Sequence, residues 1–299
     1  MNPILTVEDL SVSFPMGRGK TQDVISHLNL TVYPGEILAV AGSSGSGKSL
    51  LASAILGILP DNAIQGGTMT FDGEPLTEQR KAQLRGGDIA LVPQSVAYLD
   101  PLMKVGRQVG GKEKRRDLFD RLQLPRKTER LYPFELSGGM ARRVLVSTAI
   151  LGDAKLVIAD EPTPGMSLEQ ARTALRMFRE MADKGCGMIL ITHDIDLAFD
   201  FADRIAVFYA GSTLEIAPAA SFRQGPEALK HPYSRALWRA LPQNGFQPID
   251  GIQPYAGNLP KGCLFSPRCP YADETCRCQV PPMVTAGESE VRCFHGTEG

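Results

Sequence analysis

The chain has 299 residues, 32 basic against 33 acidic, with 43% hydrophobic positions, enough for one large core plus an appendage or for two small domains. The even charge balance offers no dedicated nucleic-acid surface, and no run reaches the roughly 18 apolar residues of a bilayer span. The opening MNPILTVEDL lacks the charged-then-apolar pattern of a secretory signal, so a cytosolic chain is expected, and six cysteines there point to thiols or metal ligands before disulfides.

In chain order, Ile4-Leu5-Thr6-Val7, Val12 to Phe14, and the alternating Leu28, Leu30 and Val32 read as half-buried strands. Pro34-Gly35 turns the chain into the apolar run Ile37 to Ala41. Gly42-Ser43-Ser44-Gly45-Ser46-Gly47-Lys48-Ser49 follows, and then the apolar-rich stretch Leu50 to Leu59. That is strand, glycine-rich turn, helix. Gly42, Gly45 and Gly47 allow successive backbone N–H groups to point inward at a phosphate chain without Cβ clashes. Lys48 adds a point charge for the β and γ phosphates, the Ser49 hydroxyl suits Mg²⁺, and the helix aims its positive end at the anion. A turn that binds nothing has no need of the Lys48-Ser49 pair. The pattern is that of a P-loop.

Next come a strand over Thr68 to Phe71, a turn at Asp72-Gly73, a helix over Glu78 to Arg85, and a strand over Ile89 to Val92 that ends in Pro93-Gln94. Lys112 to Leu124 reads as a helix set apart from the sheet, with Leu118, Phe119 and Leu122 on one side. Leu136-Ser137-Gly138-Gly139-Met140 opens a helix that runs to Leu151. Its two glycines leave N–H groups unobstructed for phosphate, although a serine at a helix start is, taken alone, an ordinary N-cap.

Leu156 to Ala159 reads as a buried parallel strand and ends in Asp160-Glu161. In α/β sheets ligands sit beyond the carboxyl ends of the strands. Asp160 therefore suits the shell of a Mg²⁺ ion, and Glu161 can orient or polarise the water that attacks the γ-phosphate. A solvated acidic turn is the plainer alternative. Met188 to Thr192 is a second buried strand and delivers His193 to the same edge; a lone histidine elsewhere would be read as structural. Strands Arg204 to Phe208 and Thr213 to Ile216 close the core. Beyond Pro226 the composition shifts toward Pro, Gly and Cys, and five of the six cysteines lie between Cys263 and Cys293, marking a separate C-terminal unit. Cys186, in a Lys184-Gly185-Cys186 turn, reads as structural.

Taken together, these motifs resemble the ATP-binding subunit of an ABC transporter. Gly42 to Ser49 stand as Walker A, Gln94 as the Q-loop, Leu136 to Met140 as the signature, Asp160-Glu161 as Walker B and its glutamate, and His193 as the switch histidine. The resemblance implies an α/β fold, a P-loop NTPase of ABC type with a mixed sheet core, a helical subdomain over about 95–150 and a small Cys-rich C-terminal extension. The ATPase domain would cover 1–226 and the extension 227–299. It further implies catalytic roles for Glu161, His193 and Lys48, and nucleotide contacts from Phe14 on the adenine, from Gly42, Ser43, Ser44, Gly45, Ser46, Gly47, Lys48, Ser49 and Leu50, and from Gln94. Mg²⁺ would sit on Ser49, Gln94 and Asp160. Two such subunits would meet head to tail, each ATP lying between one Walker A loop and Ser137, Gly138 and Gly139 of the other.

LSGGM, HPYSRALWRALP at His231 to Pro242 and GCLFSPRCPYADETC at Gly262 to Cys276 look like the oligopeptide, dipeptide and nickel importers. In that group four cysteines spaced like Cys263, Cys269, Cys276 and Cys293 bind a [4Fe-4S] cluster. Four thiolates in a Pro-rich loop suit soft metals, and zinc would satisfy the same set; Cys278 is an extra thiol without a role. The partners implied are a second ATPase subunit, homologous rather than identical, two transmembrane permease subunits and an extracytoplasmic solute-binding protein, with no nucleic acid. The place implied is the cytoplasmic face of the inner membrane, and the cargo a peptide, nickel or a related small solute.

Two departures stand out. Ser167 occupies the place of an aspartate that communicates across the dimer, and the stretch between Gln94 and Ser137 is short. A soluble ABC ATPase of DNA repair or translation is the alternative from another class, but the coiled coils, second ATPase module or basic surface of such proteins are missing from the sequence. A non-hydrolysing, ATP-gated partner subunit is favoured by Ser167 and opposed by the intact Asp160, Glu161 and His193.

Overall fold

The computed structural model describes residues 2–17, 19–43 and 45–296. The continuous apolar runs of the sequence become strands buried on both faces. They belong to an eight-stranded sheet in the order β11 (Val284–Ala286), β12 (Ser289–Val291), β10 (Ser212–Pro218), β9 (Arg204–Tyr209), β3 (Ile37–Gly42), β8 (Gly187–Thr192), β7 (Leu156–Asp160) and β6 (Ile89–Val92). From β9 to β6 the pairing is parallel, and from β9 to β11 it is antiparallel, so the sheet is mixed. A smaller antiparallel sheet, in the order β2 (Thr21–Val32), β1 (Leu5–Pro15), β4 (Ile64–Phe71) and β5 (Glu74–Pro75), covers one face.

The period of two along each strand divides two cores. In β3, Leu38 and Val40 pack toward the small sheet and helix α1 (Lys48–Leu56). Ile37, Ala39 and Ala41 pack on the other side, toward α5 (Gly138–Ile150), α6 (Leu168–Ala182), α7 (Ile195–Phe201), α8 (Ala219–Gln224) and α9 (Pro232–Arg239). Ile158 against Val157 and Ile189 against Leu190 repeat the alternation. Each leucine, isoleucine or valine among them contributes about 1.5–3 kcal/mol when fully buried. The remaining helices are α2 (Glu78–Leu84), α3 (Val105–Gln108), α4 (Lys112–Arg121) and α10 (Glu274–Cys278).

The first two apolar runs merge into the single bulged strand β1, with Asp9 in the left-handed region at φ 50°. Helix α4 ends at Arg121, short of the expected Leu124. Gln123 adopts φ 53° and the Leu124 N–H reaches back to the Phe119 carbonyl at 2.8 Å, a left-handed helix closure.

Residues beyond 226 are continuous with the large sheet, because β12 pairs with β10 and β11 pairs with β12. Arg204 on β9 reaches Glu290 on β12 at 2.8 Å. Buried Arg292 donates to the carbonyls of His27 at 2.6 Å, Pro281 at 3.1 Å and Thr213 at 3.2 Å. The His231-Pro232-Tyr233 stretch is the start of α9. His231 caps it by accepting the Tyr233 N–H, Pro232 fills the first helical position, and buried Glu215 on β10 accepts the N–H groups of Lys230 and His231, both at 2.8 Å.

Candidate nucleotide-binding site

Parallel pairing brings the carboxyl ends of β6, β7, β8 and β3 to one edge of the sheet, and the polar residues that follow them meet there. Gly42 ends β3 so close to β9 that an added Cβ would lie 2.4 Å from the Phe208 carbonyl oxygen. Gly45 and Gly47 take φ of 76° and 93°, open to glycine at no steric cost. Ser44, expected in this loop, lies outside the described residues. Lys48 opens α1 and folds back into the loop. Its Nζ donates to the carbonyls of Gly42 and Ser43, both at 2.8 Å, and stands 3.5 Å from Ser46 Oγ. Burial pulls the lysine pKa down, and the carboxylates of Glu161 and Asp160 oppose that pull.

Asp160, the last residue of β7, is buried with Oδ1 lacking a hydrogen-bond partner among the described residues. Burial raises its pKa, against the Ser49 hydroxyl, which bonds the carboxylate, and the charges of Lys48 and Arg142. Ser49, Gln94 and Asp160 line a cavity of about 240 Å³ together with Ser53, Ser95 and Tyr98. An orphaned carboxylate oxygen beside a hydroxyl, open to such a cavity, is a donor set that suits a hard divalent cation; these residues fit Mg²⁺.

Glu161 stands between two partners from neighbouring strand ends. His193 Nδ1 lies 3.2 Å from its Oε1, and Gln94 Nε2 donates to its Oε2 at 3.2 Å. Its backbone has φ 46°, and its N–H donates to the Ile191 carbonyl at 2.9 Å. A left-handed backbone at a non-glycine costs on the order of 1–2 kcal/mol, which the surrounding strands must hold in place. Chemically, a carboxylate fixed at both oxygens and open to the edge can align a water and accept its proton.

Sequence reading missed the clamp that holds Gln94. Buried Arg142 of α5 donates to the Pro93 carbonyl at 3.0 Å and to the Gln94 carbonyl. Burial lowers its pKa, and Glu161 and Asp160 push the other way. Its neighbour Arg143 donates to the carbonyls of Leu122 and Gln123 at 2.9 and 3.0 Å, tying α4 to α5. The available signal was two adjacent arginines inside a mostly apolar helix.

The signature stretch stands outside the cavity. Ser137 accepts the Met140 N–H at 3.3 Å as a plain N-cap, and both Ser137 and Gly138 are exposed. Gly139 abuts the loop after β7, where a Cβ would lie 2.7 Å from the Gly165 oxygen. Ser167 caps α6, and its own N–H is accepted by Gln170. Phe14 and Leu50 are half-buried against the core beneath the small sheet.

The cysteines separate into classes. Cys263, Cys269, Cys276 and Cys293 converge: burial raises the pKa of each thiol, Cys263 to about 11, and neighbouring cysteines add to the rise at Cys263, Cys269 and Cys293, Asp273 at Cys276. Among the described residues the trio whose ligand atoms all lie within 4.8 Å is Asp273, Cys276 and His295, so no three of the four sulfurs are that close. Four thiols gathered in this way are a donor set that soft metals prefer, zinc as well as iron. Cys278 is exposed, its Sγ 3.3 Å from Glu274, apart from the four. Cys186 is buried, with burial pushing its thiol up to about 11.

The ABC transporter family profile matches residues 25–164, and that of the oligopeptide/dipeptide transporter C-terminal region matches residues 214–276. The dipeptide transport ATP-binding protein DppD of Haemophilus influenzae is 35% identical over 317 residues, covering 97% of this chain and 94% of that protein. The oligopeptide transport ATP-binding protein OppD of Salmonella typhimurium is 34% identical over 323 residues, covering 99% and 95%. Among solved structures, a dimeric ATP-binding cassette in a post-hydrolysis state with ADP and Pi superposes with a TM-score of 0.64 at 20% identity over 72% of this chain and 98% of that one. An ATP-binding subunit of an ABC transporter superposes at 0.62 and 25% identity, over 74% and 92%. A likeness to DppD and OppD along nearly the whole chain, over a sheet edge that gathers a phosphate loop, two carboxylates and a histidine, leaves one conclusion: this protein belongs to the ABC transporter family of ATP-binding subunits, in the branch with the oligopeptide/dipeptide transporter C-terminal region, and couples ATP hydrolysis to transport.

Proposed function

We propose that the chain binds MgATP at this edge and drives the import of peptides. The cargo class follows relatives whose names assign them to dipeptide and oligopeptide transport. The observation that carries the reading is Glu161, held by Gln94 and His193 next to Asp160 and Ser49. The loop Gly42 to Gly47 presents its N–H groups to the phosphates, Lys48 contacts the β and γ groups, Leu50 lies at the foot of the loop, and Phe14 faces the adenine. Ser49 and Asp160, with Gln94, would hold Mg²⁺, which when bound neutralises charge developing on the phosphates. Glu161 aligns the attacking water and takes its proton, and His193 and Gln94 fix the orientation of that carboxylate.

Exposed Ser137 and Gly138 suit contact with nucleotide on a second subunit. We read the companion as a homologous but different chain, as the resemblance implies; Ser167, which caps its own helix, offers no carboxylate across the interface and would make the two ATP sites unequal. Two permease subunits and a solute-binding protein complete the importer. None of the helices among the described residues is long and apolar enough to cross a membrane; the place we assign, the cytoplasmic face of the inner membrane, follows from the likeness to importer subunits. Residues 1–226 carry the ATPase and 227–299 the extension. Cys263, Cys269, Cys276 and Cys293 would hold a [4Fe-4S] cluster, which would clasp the loop before α10 to the segment after β12.

The test is uptake of labelled peptides by cells that carry the wild-type chain or Glu161→Gln in place of it. Loss of peptide uptake in the variant supports the reading; unchanged peptide uptake with loss of nickel uptake would reassign the cargo.

A further inference from the structure

Ser43, the second residue of the phosphate loop, is tied at both ends. Its backbone carbonyl accepts Lys48 Nζ at 2.8 Å. Its hydroxyl donates to Gln253 Oε1 at 2.5 Å, and the phenol of Tyr233 lies close enough to feel it. Both partners come from the C-terminal region, 210 residues later in the case of Gln253.

The segment that carries Gln253 has its own anchor. Arg268 donates to the carbonyls of Asp250 at 2.7 Å and Ile249 at 2.9 Å, and to the Tyr209 hydroxyl at 3.2 Å. Its guanidinium lies 5.8 Å over the Tyr209 ring. Tyr209 ends β9, next to Gly42, and its ring packs on Tyr233 at 4.5 Å and on Phe265 at 5.4 Å. A lysine ammonium has three donors. Two of them go to Gly42 and Ser43 and the third faces Ser46 Oγ at 3.5 Å, so wherever Ser43 is held, Lys48 is aimed.

We propose that Gln253 is a positioning residue for the nucleotide site: it sets Lys48 through Ser43, with Tyr233 as a second tether and Arg268 as the anchor of its segment. The inference rests on the reading of Gly42 to Ser49 as the ATP phosphate loop. It makes the C-terminal region a working part of the ATP site, since a loose Ser43 leaves Lys48 free to wander among loop carbonyls and lowers its pre-organisation for phosphate.

The test is calorimetric binding of MgATP to the full-length chain, paired with steady-state hydrolysis. Gln253→Met keeps the side-chain length and removes the acceptor. It is expected to weaken MgATP binding roughly fivefold, the net worth of one hydrogen bond, and to raise KM by the same factor with kcat changed less than about twofold. Arg268→Ala is expected to act on the same linkage, so that the double variant is no weaker than the worse single one. A merely structural role would lower the melting temperature without this KM-against-kcat split. An affinity of Gln253→Met within about twofold of wild type, or effects of the two substitutions that multiply, would overturn the proposal. If Gln253→Met does not fold, Tyr233→Phe, which removes only a hydroxyl, takes its place under the same thresholds. Lys48→Ala serves as the separate control: intact MgATP affinity there would sink the phosphate-loop reading itself, whatever Gln253 does.

Discussion

His193 Nδ1 stands 3.2 Å from Glu161 Oε1, on the opposite side of the carboxylate from Gln94. The pair joins the ends of β7 and β8, and the histidine is the exposed member at 64% against 18%. An exposed histidine that holds a sheltered carboxylate acts on orientation more than on charge. Glu161→Gln is expected to keep MgATP affinity while turnover falls by about 10²–10⁴, the usual worth of a general base. His193→Ala should cost less, and the double variant should be no slower than Glu161→Gln alone. Single-turnover phosphate release measures all three, and multiplicative losses would mean that the two residues act separately.

Lys48 makes its two short bonds to loop carbonyls from a buried position. Removing it takes away the positive side chain of the loop and its two short bonds to the Gly42 and Ser43 carbonyls. Lys48→Ala should weaken MgATP binding by more than about tenfold, read by calorimetry, with the fold retained by circular dichroism.

Gly139 has no room for a methyl group, since a Cβ would meet the Gly165 oxygen at 2.7 Å. Backbone cannot yield as a side-chain tip can, so Gly139→Ala must move the signature turn or the loop after Asp160-Glu161. A loss of about 1–3 kcal/mol in unfolding free energy is expected, together with reduced turnover. Gly138→Ala, with open space at its Cβ, should leave stability within about 0.5 kcal/mol. Equal melting temperatures for the two variants would contradict the contact.

His231 is wholly buried, and burial pushes its pKa down to about 3. Below its ordinary value of about 6.5 the unfolded chain takes up a proton that the native chain refuses. The histidine's contribution to stability is therefore full above about pH 6.5 and declines as the pH falls, by up to about 1.4 kcal/mol per unit. Glu215 beside it has its pKa raised by burial, so its contribution runs the other way, being present at low pH and lost as the pH climbs through its folded value. His231→Asn keeps a capping oxygen and removes only the histidine effect. Between pH 6.5 and 5 the wild type should lose about 2 kcal/mol more than the variant in denaturant titrations; parallel curves would refute the assignment.

The proposed cluster on the four converging thiols is tested by metal content: about four irons per chain are expected after anaerobic purification, with sulfide and visible absorbance to match. Cys269→Ser should lose the iron and Cys278→Ser should keep it. Stoichiometric zinc without iron would select the alternative metal.

What the sequence made legible was whatever depends on local chemistry. Gly42 to Ser49 read as a phosphate loop because its glycines, lysine and serine form a local pattern, and β3, β7 and β8 announced themselves as apolar runs too long to face water. Arg142 and Gln253 were illegible for the opposite reason. Each acts over a long stretch of chain, on the Pro93 and Gln94 carbonyls or on Ser43, and neither sits in a motif. The end of α4 was missed because an ordinary glutamine, Gln123, takes the left-handed position usually given to glycine. The cysteines showed their clustering in the sequence, but how Cys263 and Cys293 come to influence each other depends on how α10 and the segment after β12 come together.

The pairing of β12 with β10 has a bearing on how the molecule is made. Translation releases Ser212–Pro218 well before Ser289–Val291, so for that interval the nascent sheet presents a bare row of amides along β10, the kind of margin on which misassembly begins. A version cut at residue 226 would keep that open margin permanently and should clump at concentrations where the full-length chain stays dispersed.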